Sequence, residues 1–346
     1  MTRTARESAT LMFAEAGEAH GCVARQAADS GEAIAEIGAA LRTLEPRLIA
    51  TVARGSSDHA ATYAKYLIET AAKVPVVSWA PSVSSIYDAE SALERAACLA
   101  ISQSGRSPDI VAAARSAREG GARLVALVNQ TSSPLAELAD HVAPLHAVPE
   151  TSVAATKSYL ASLAMIARIV AAWTEDEELT GALAALPERM TEAWELDWSA
   201  ADEKLAGAQS LFVIGRGIGL CVAQEAALKF KETCRIHAEA YSAAEVLHGP
   251  AAIVRPGFPV LALAQDDATA GNVVDTAEKL AEMGAEVVIA GATARGCLTL
   301  PTLAGDPRLQ PILLAQSFYR LVNRRAVALG ENPDSPPHLS KITETT

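Results

Sequence analysis

Apolar and polar positions along this chain alternate in blocks, not residue by residue. In "RLIATVARGSS" an apolar run of strand length ends in a glycine turn, and "DHAATYAKYLIETAAK" then follows a helical pattern. Next, "AACLAISQSGRSPDIVAAARSAREGGARLVALVNQ" reads strand, polar loop, helix, glycine, strand. Strands alternating with helices of this length predict βαβ units and a parallel sheet.

The same order recurs in the second half. "SLFVIGRGIGL" is a strand running into a glycine turn, and "CVAQEAALKFKETC" is a helix. "FPVLALAQDDATAGNVVDTAEKLAEMGAEVVIAG" then repeats strand, polar loop, helix, glycine, strand. The registers nearly coincide: Arg54-Gly55 matches Arg216-Gly217, and Gly121-Ala122 matches Gly284-Ala285. The pattern predicts an α/β protein with two doubly wound, flavodoxin-like parallel-sheet domains in tandem, related by duplication. The expected organisation is a helical N-terminal arm over 1–48, a first domain over 49–175 and a helical linker over 176–204. A second domain over 205–330 and a C-terminal tail over 331–346 complete it.

One loop separates the copies. After its second strand the first copy has "SQSGRS", with Ser102, Gln103, Ser104 and Ser107, where the second has "AQDDAT", with Asp266 and Asp267. Strand-to-helix turns expose unpaired N–H groups at the positive end of a helix dipole, where anions bind. Hydroxyls and an amide on such a turn make a neutral cradle for a monophosphate, whereas two carboxylates would repel one. The same serines also fit an ordinary helix start, with Ser107 as N-cap, Pro108 at the first helical position and Asp109 in the first turn. In "ARGSSD", Ser56 and Ser57 add a second hydroxyl-rich turn on the edge of the sheet where ligands of this fold class bind. "GRGIGL" is only a partial dinucleotide fingerprint, with Leu220 where a third glycine belongs.

Bulk properties narrow the classes further. The 346 residues leave room for two cores, and the formal charge of -12 without a basic cluster gives no support for nucleic-acid binding. The five cysteines form no CxxC pair, so neither a disulfide framework nor a zinc cage is expected, and a reducing, cytoplasmic setting fits. "YLASLAMIARIVAAW" is short and broken by Arg168, which makes it a buried helix rather than a membrane span. Neither a metal nor an organic cofactor is suggested.

Four stretches carry a resemblance: "ISQSGRSPDIVAAAR", "ETSVAATKSY", "EAALKFKETCRIHAEAYSAAEVLHGP" and the closing "HLSKIT". Together, and in this order, they resemble the sugar isomerase (SIS) domain family. More narrowly they look like the isomerase half of glutamine–fructose-6-phosphate amidotransferases. The resemblance implies a phosphate loop at Ser102, Gln103, Ser104 and Ser107, a first-turn contact at Ser56 with Ser57 beside it, and a sugar-lining strip at Val153 and Ala154. It implies Glu232 as the carrier of a proton between C1 and C2, His248 as the group that opens the sugar ring, reaching into a neighbouring subunit of a homodimer, and Lys341 as a lid over the sugar. On pattern alone Glu232 is a solvated helix charge, His248 a turn residue and Lys341 a tail charge.

Two departures matter. Arg54 stands where many members of the family have a small residue or cysteine, and Arg106 belongs to a loop that lacks the usual acidic-threonine ending. Only about fifty residues precede the first strand, too few for a glutaminase domain. The expectation is therefore a stand-alone deaminase acting on glucosamine 6-phosphate, with no membrane or nucleic-acid partner. Galactosamine 6-phosphate, fructosamine 6-phosphate and a non-catalytic sugar-phosphate sensor are the alternatives. Pro336 and Pro337 are expected to stop the last helix and aim the tail.

Overall fold

The computed structural model describes residues 6–90 and 92–341. The outermost ends of the expected arm and tail, residues 1–5 and 342–346, lie outside the described residues. The chain divides into two compact units, each built on one sheet.

The first unit comprises residues 19–150, 157–187 and 340–346. Its strands are β1 (Leu48–Val52), β2 (Val76–Ser78), β3 (Ala96–Ser102), β4 (Arg123–Val128) and β5 (His141–Pro144). They are all parallel and lie in the order β2-β1-β3-β4-β5. All seven residues of β3 are buried, as expected of a central strand covered on both faces. Helices α2 (Ala19–Asp29), α3 (Gly31–Leu44), α4 (Ser56–Ala71), α5 (Pro81–Ser85), α6 (Pro108–Glu119), α7 (Pro134–Leu138) and α8 (Lys157–Thr174) belong to this unit. The alanines of α6 that face inward, Ala113, Ala114 and Ala117, let that helix lie close on Cys98, Leu124 and Ala126 of the sheet. The apolar run that could have suggested a membrane is α8, buried over nearly its whole length. Its Arg168 donates to the Val23 carbonyl at 3.2 Å, and burial holds the Arg168 pKa below its ordinary value. No described helix is long and apolar enough to cross a membrane.

The second unit comprises residues 1–18, 151–156 and 188–339. Its strands are β6 (Ser210–Gly215), β7 (His237–Ser242), β8 (Pro259–Leu263), β9 (Glu286–Ala290) and β10 (Leu298–Leu300), ordered β10-β9-β8-β6-β7. Counted from the first strand of each unit, this is the same 2-1-3-4-5 order, again fully parallel. Helices α10 (Ser199–Lys204), α11 (Leu220–Cys234), α12 (Ala270–Glu282) and α13 (Gln310–Leu329) surround this sheet, and α1 (Leu11–Gly17) packs on α13. The two units meet in sequence inside α9 (Glu177–Glu195), at Pro187.

The matched glycines have matched geometry. Gly121 and Gly284 have φ of 97° and 92°, each following a helix. In both places the next N–H reaches back five residues, Ala122 to the Ala117 carbonyl and Ala285 to the Leu280 carbonyl, both at 3.0 Å. This Schellman-type stop needs a residue at ease with positive φ, and it turns the chain directly into the following strand.

Two expectations change. The compact units are not contiguous in sequence: α1, read as part of a separate arm, belongs with the second sheet, while α2 and α3 belong with the first. The last helix is not stopped by Pro336 and Pro337. It ends at Leu329, where Gly330 adopts φ 79° and its N–H returns to Ala326 and Val327, six residues before Pro336.

Candidate functional site

In the first unit β1 and β3 are neighbours, and the chain leaves them for α4 and α6 at the point where the strand order reverses. Ser102 ends β3 and is buried, its Oγ accepting from the Gly105 N–H at 3.1 Å. Ser104 Oγ accepts from the Arg106 N–H at 3.3 Å. Gly105 has φ +62°, and any Cβ there would fall 2.7 Å from the Cβ of buried Ser133, so only glycine fits. The loop is also held from the turn after β4: Asn129 N–H donates to the Gln103 carbonyl at 3.1 Å and Leu135 N–H to the Gly105 carbonyl at 3.2 Å.

Ser107 occupies the N-cap position of α6 but makes no capping bond. Ser133 on α7 does, accepting from the Ala136 N–H at 3.4 Å. Helix α4 also begins without a side-chain cap, at Gly55, with half-buried Ser56 and Ser57 as its first residues. Both helices facing this crevice therefore lack an N-cap side-chain bond, and in α6 the Ile110 N–H is taken by Asp109 of its own first turn at 2.9 Å.

The unit also contains Lys341. Its Nζ lies 2.8 Å from Oε2 of Glu150, whose side chain is wholly buried. The Ser158 N–H donates to Glu150 Oε1 at 3.1 Å and the Ser158 hydroxyl to Oε2 at 2.7 Å. The lysine is thus tied to a carboxylate that the start of α8 holds in place. Glu150 is the first residue of the stretch that carries the family likeness at Val153 and Ala154, and sequence reasoning gave it no role.

In the second unit the chain from Thr151 to Ala154 runs as an irregular strip with Ala154 buried and Val153 half-buried. Two carboxylates fix it. Glu15 on α1 accepts from the N–H groups of Thr151 and Ser152, the latter at 3.1 Å. Asp334 caps the start of α1, accepting from Leu11 and Met12 N–H at 2.8 Å each. Its carbonyl takes the Val153 N–H at 3.0 Å.

Helix α11 carries the other part. Glu225 and Lys229 are fully buried and 3.4 Å apart, and Tyr319 donates to Glu225 Oε1 at 2.9 Å. Lys229 also donates to Oε2 of Glu232, whose side chain is 21% exposed. Burial pulls the Lys229 pKa down, but the charges of Glu225 and Glu232 and their hydrogen bonds outweigh it, so the net direction is upward. Tyr319, Glu225, Lys229 and Glu232 form one chain of contacts from the core to the surface, and Glu232 is no loose helix-face charge. Charge alone favours an exposed Lys229, whereas its spacing from Val222 and Ala226 puts it on their face of the helix. The signal for burial was its place between two glutamates, at i−4 and i+3, among Ala226, Ala227 and Phe230. Glu232 lines an open cavity of about 460 Å³ with Leu228, Lys231, Arg235, His237 and Pro337. His248 is exposed at the end of a short 3₁₀ turn after β7. Among the described residues its ring has no hydrogen-bond partner.

The second unit's counterpart of the serine loop is closed by its own side chains. The two N–H groups of buried Gln265 are shared among three acceptors, the Arg216 carbonyl at 2.8 Å, Asp267 Oδ2 at 3.0 Å and Thr269 Oγ1 at 2.6 Å from Nε2. Asp267 Oδ1 accepts from the Thr269 N–H at 2.7 Å. Asp267 is therefore consumed by bonds within its own loop, while the helix that follows, α12, has no side-chain cap.

Two tandem doubly wound units, one with an uncapped hydroxyl loop and one with a carboxylate held on a buried lysine, define a duplicated α/β ligand-binding protein. The comparison with known families agrees: the SIS domain model matches residues 45–172 and 204–291, and the chain belongs to the SIS domain family. It is 36% identical over 317 residues to glutamine–fructose-6-phosphate aminotransferase [isomerizing] of Aeropyrum pernix, covering 84% of this chain and 50% of that protein. The chain spans about half the length of the curated relatives it matches. A crystal structure from Silicibacter pomeroyi DSS-3, described as a presumptive phosphosugar isomerase, superposes with a TM-score of 0.91 at 44% identity over 94% of this chain and 100% of that one. Glucosamine-6-phosphate deaminase from Thermotoga maritima shares the fold, with a TM-score of 0.72 at 22% identity over 91% and 99% of the two chains.

Proposed function

We propose that this chain binds an amino-sugar phosphate and converts glucosamine 6-phosphate to fructose 6-phosphate and ammonia. The observation that carries the proposal is the mounting of Glu232. Its Oε2 is engaged by fully buried Lys229 while the side chain borders an open cavity. A carboxylate fixed through one oxygen has the other available for a substrate proton, with its position set in advance.

The serine loop and the starts of α4 and α6 would take the phosphate, far from the bonds that change, and so supply alignment. His248, with a ring nitrogen free to accept or donate, would open the sugar ring. Glu232 would then remove the proton from C2 and return it to C1, turning the C1 aldehyde and C2 amine into a C1 alcohol and C2 imine. Water adds to that imine, ammonia leaves, and a ketone remains at C2. Lys341, ion-paired with Glu150, is suited to act by charge, stabilising the anionic oxygen that develops during the proton transfer.

Ammonia release from glucosamine 6-phosphate, without glutamine, tests this directly. Wild type should release ammonia and fructose 6-phosphate in equal amounts, and Glu232→Gln should lower the rate about 10³-fold. Binding of sugar phosphate without any turnover in the wild type would defeat the catalytic reading and leave a sensor.

A further inference from the structure

Arg54 is one of the two residues at which this chain departs from the pattern it otherwise resembles. It follows β1, and its Nε donates to Oδ2 of Asp109 at 3.1 Å. Asp109 is the second residue of α6, only 2% exposed, and its other oxygen accepts from the Ile110 N–H at 2.9 Å. The pair therefore crosses the crevice between the two hydroxyl-bearing turns. The buried end is fixed, while the Arg54 side chain remains 54% exposed. Its two terminal nitrogens bond to none of the described residues. The nearby Asp58 carboxyl is raised by partial desolvation, against the opposing influence of His59 and Arg54.

An arginine used only to tether two helices would spend its paired donors on the carboxylate, in the two-point geometry that suits the fork. Here one donor is spent, and the four N–H bonds of the terminal nitrogens face outward beside the uncapped starts of α4 and α6. Taking the phosphate reading of the serine loop as given, we propose that Arg54 is a direct phosphate ligand, held in place by Asp109. The ligand class this selects is a phosphomonoester dianion, bound by a charged fork and not by neutral hydroxyls alone.

The test is calorimetric titration of inorganic phosphate and of fructose 6-phosphate into the full chain. Arg54→Gln should weaken both by about tenfold or more, since hydrogen bonds to charged groups are the strong ones. Arg54→Lys, which keeps the charge but not the fork, should recover part of the loss. The salt dependence of binding should become shallower in Arg54→Gln and stay in Arg54→Lys. Unchanged affinity in Arg54→Gln, alongside weakened binding in Ser104→Ala, would overturn the role of Arg54 and leave the phosphate loop standing. Failure of the wild type to bind either phosphate would remove the phosphate reading itself. Should Arg54→Gln not fold, Asp109→Asn is decisive. Weaker phosphate binding there supports the proposal, and a lower melting temperature with intact phosphate affinity reduces the pair to a structural tether.

Discussion

Gln103 and Gln265 occupy the same place in the two copies, one and two residues past the strand at the reversal of sheet order. In the second copy the glutamine is fully buried and spends its amide on Arg216, Asp267 and Thr269. In the first it is half-buried, and its side chain bonds to none of the described residues. Identical topology thus produces a closed crevice and an open one. What differs is whether the glutamine is buried and bonded within its own loop, since the helix that follows lacks a side-chain cap in both copies. A doubly wound fold supplies a place for a ligand, and a few side chains in one loop decide whether the place is vacant.

The sharpest way to break this comparison is to disturb the helix of the second copy that carries the buried Glu225–Lys229 pair. Lys229→Met should cost about 3–5 kcal/mol, because it leaves buried Glu225 without its cation. Denaturant titration measures this, and a cost below about 1 kcal/mol would show that Glu225 does not depend on Lys229. The sign with pH follows from the raised Lys229 pKa. Its contribution is complete below the unfolded value and lost only as pH climbs through the higher folded one. Wild type should therefore keep this contribution up to about pH 10.5, the ordinary lysine value, and lose it only above that.

A smaller effect sharpens the other side of the comparison. Ser104→Ala should weaken fructose 6-phosphate binding by about tenfold, as for one hydrogen bond to a charged group, with little change in melting temperature. Unaltered affinity would place the phosphate elsewhere. The smallest effect belongs to the closed loop. Asp267→Ala should cost about 1 kcal/mol, the usual net worth of a hydrogen bond, and leave sugar-phosphate affinity untouched. Altered affinity there would contradict the assignment of anion binding to the first copy.

The fold was legible because parallel strands buried on both faces write themselves as continuous apolar runs, and because Gly121 and Gly284 mark the same turn twice. The serine loop was legible as a local motif. The groups that mount the site were not. Lys341 meets Glu150 across 191 residues and Asp334 caps α1 across 323, and no local periodicity records such pairings. Buried Lys229 was hidden for another reason: charged residues are read as solvent-facing, and only their mutual pairing makes burial tolerable. The division of the N-terminal helices was not legible because packing, not chain order, groups α1 with the second sheet and α2 and α3 with the first.

Gln265 can be regarded as a ligand that never dissociates. Tethered to its own crevice, it binds at an effective concentration that no metabolite has to match, so that half of the molecule stays filled whatever the cell contains. The other half depends on supply. In a duplicated protein this is a route to asymmetry without changing the fold: one copy internalises an occupant and gains permanent order, while its twin leaves the same loop open to solvent.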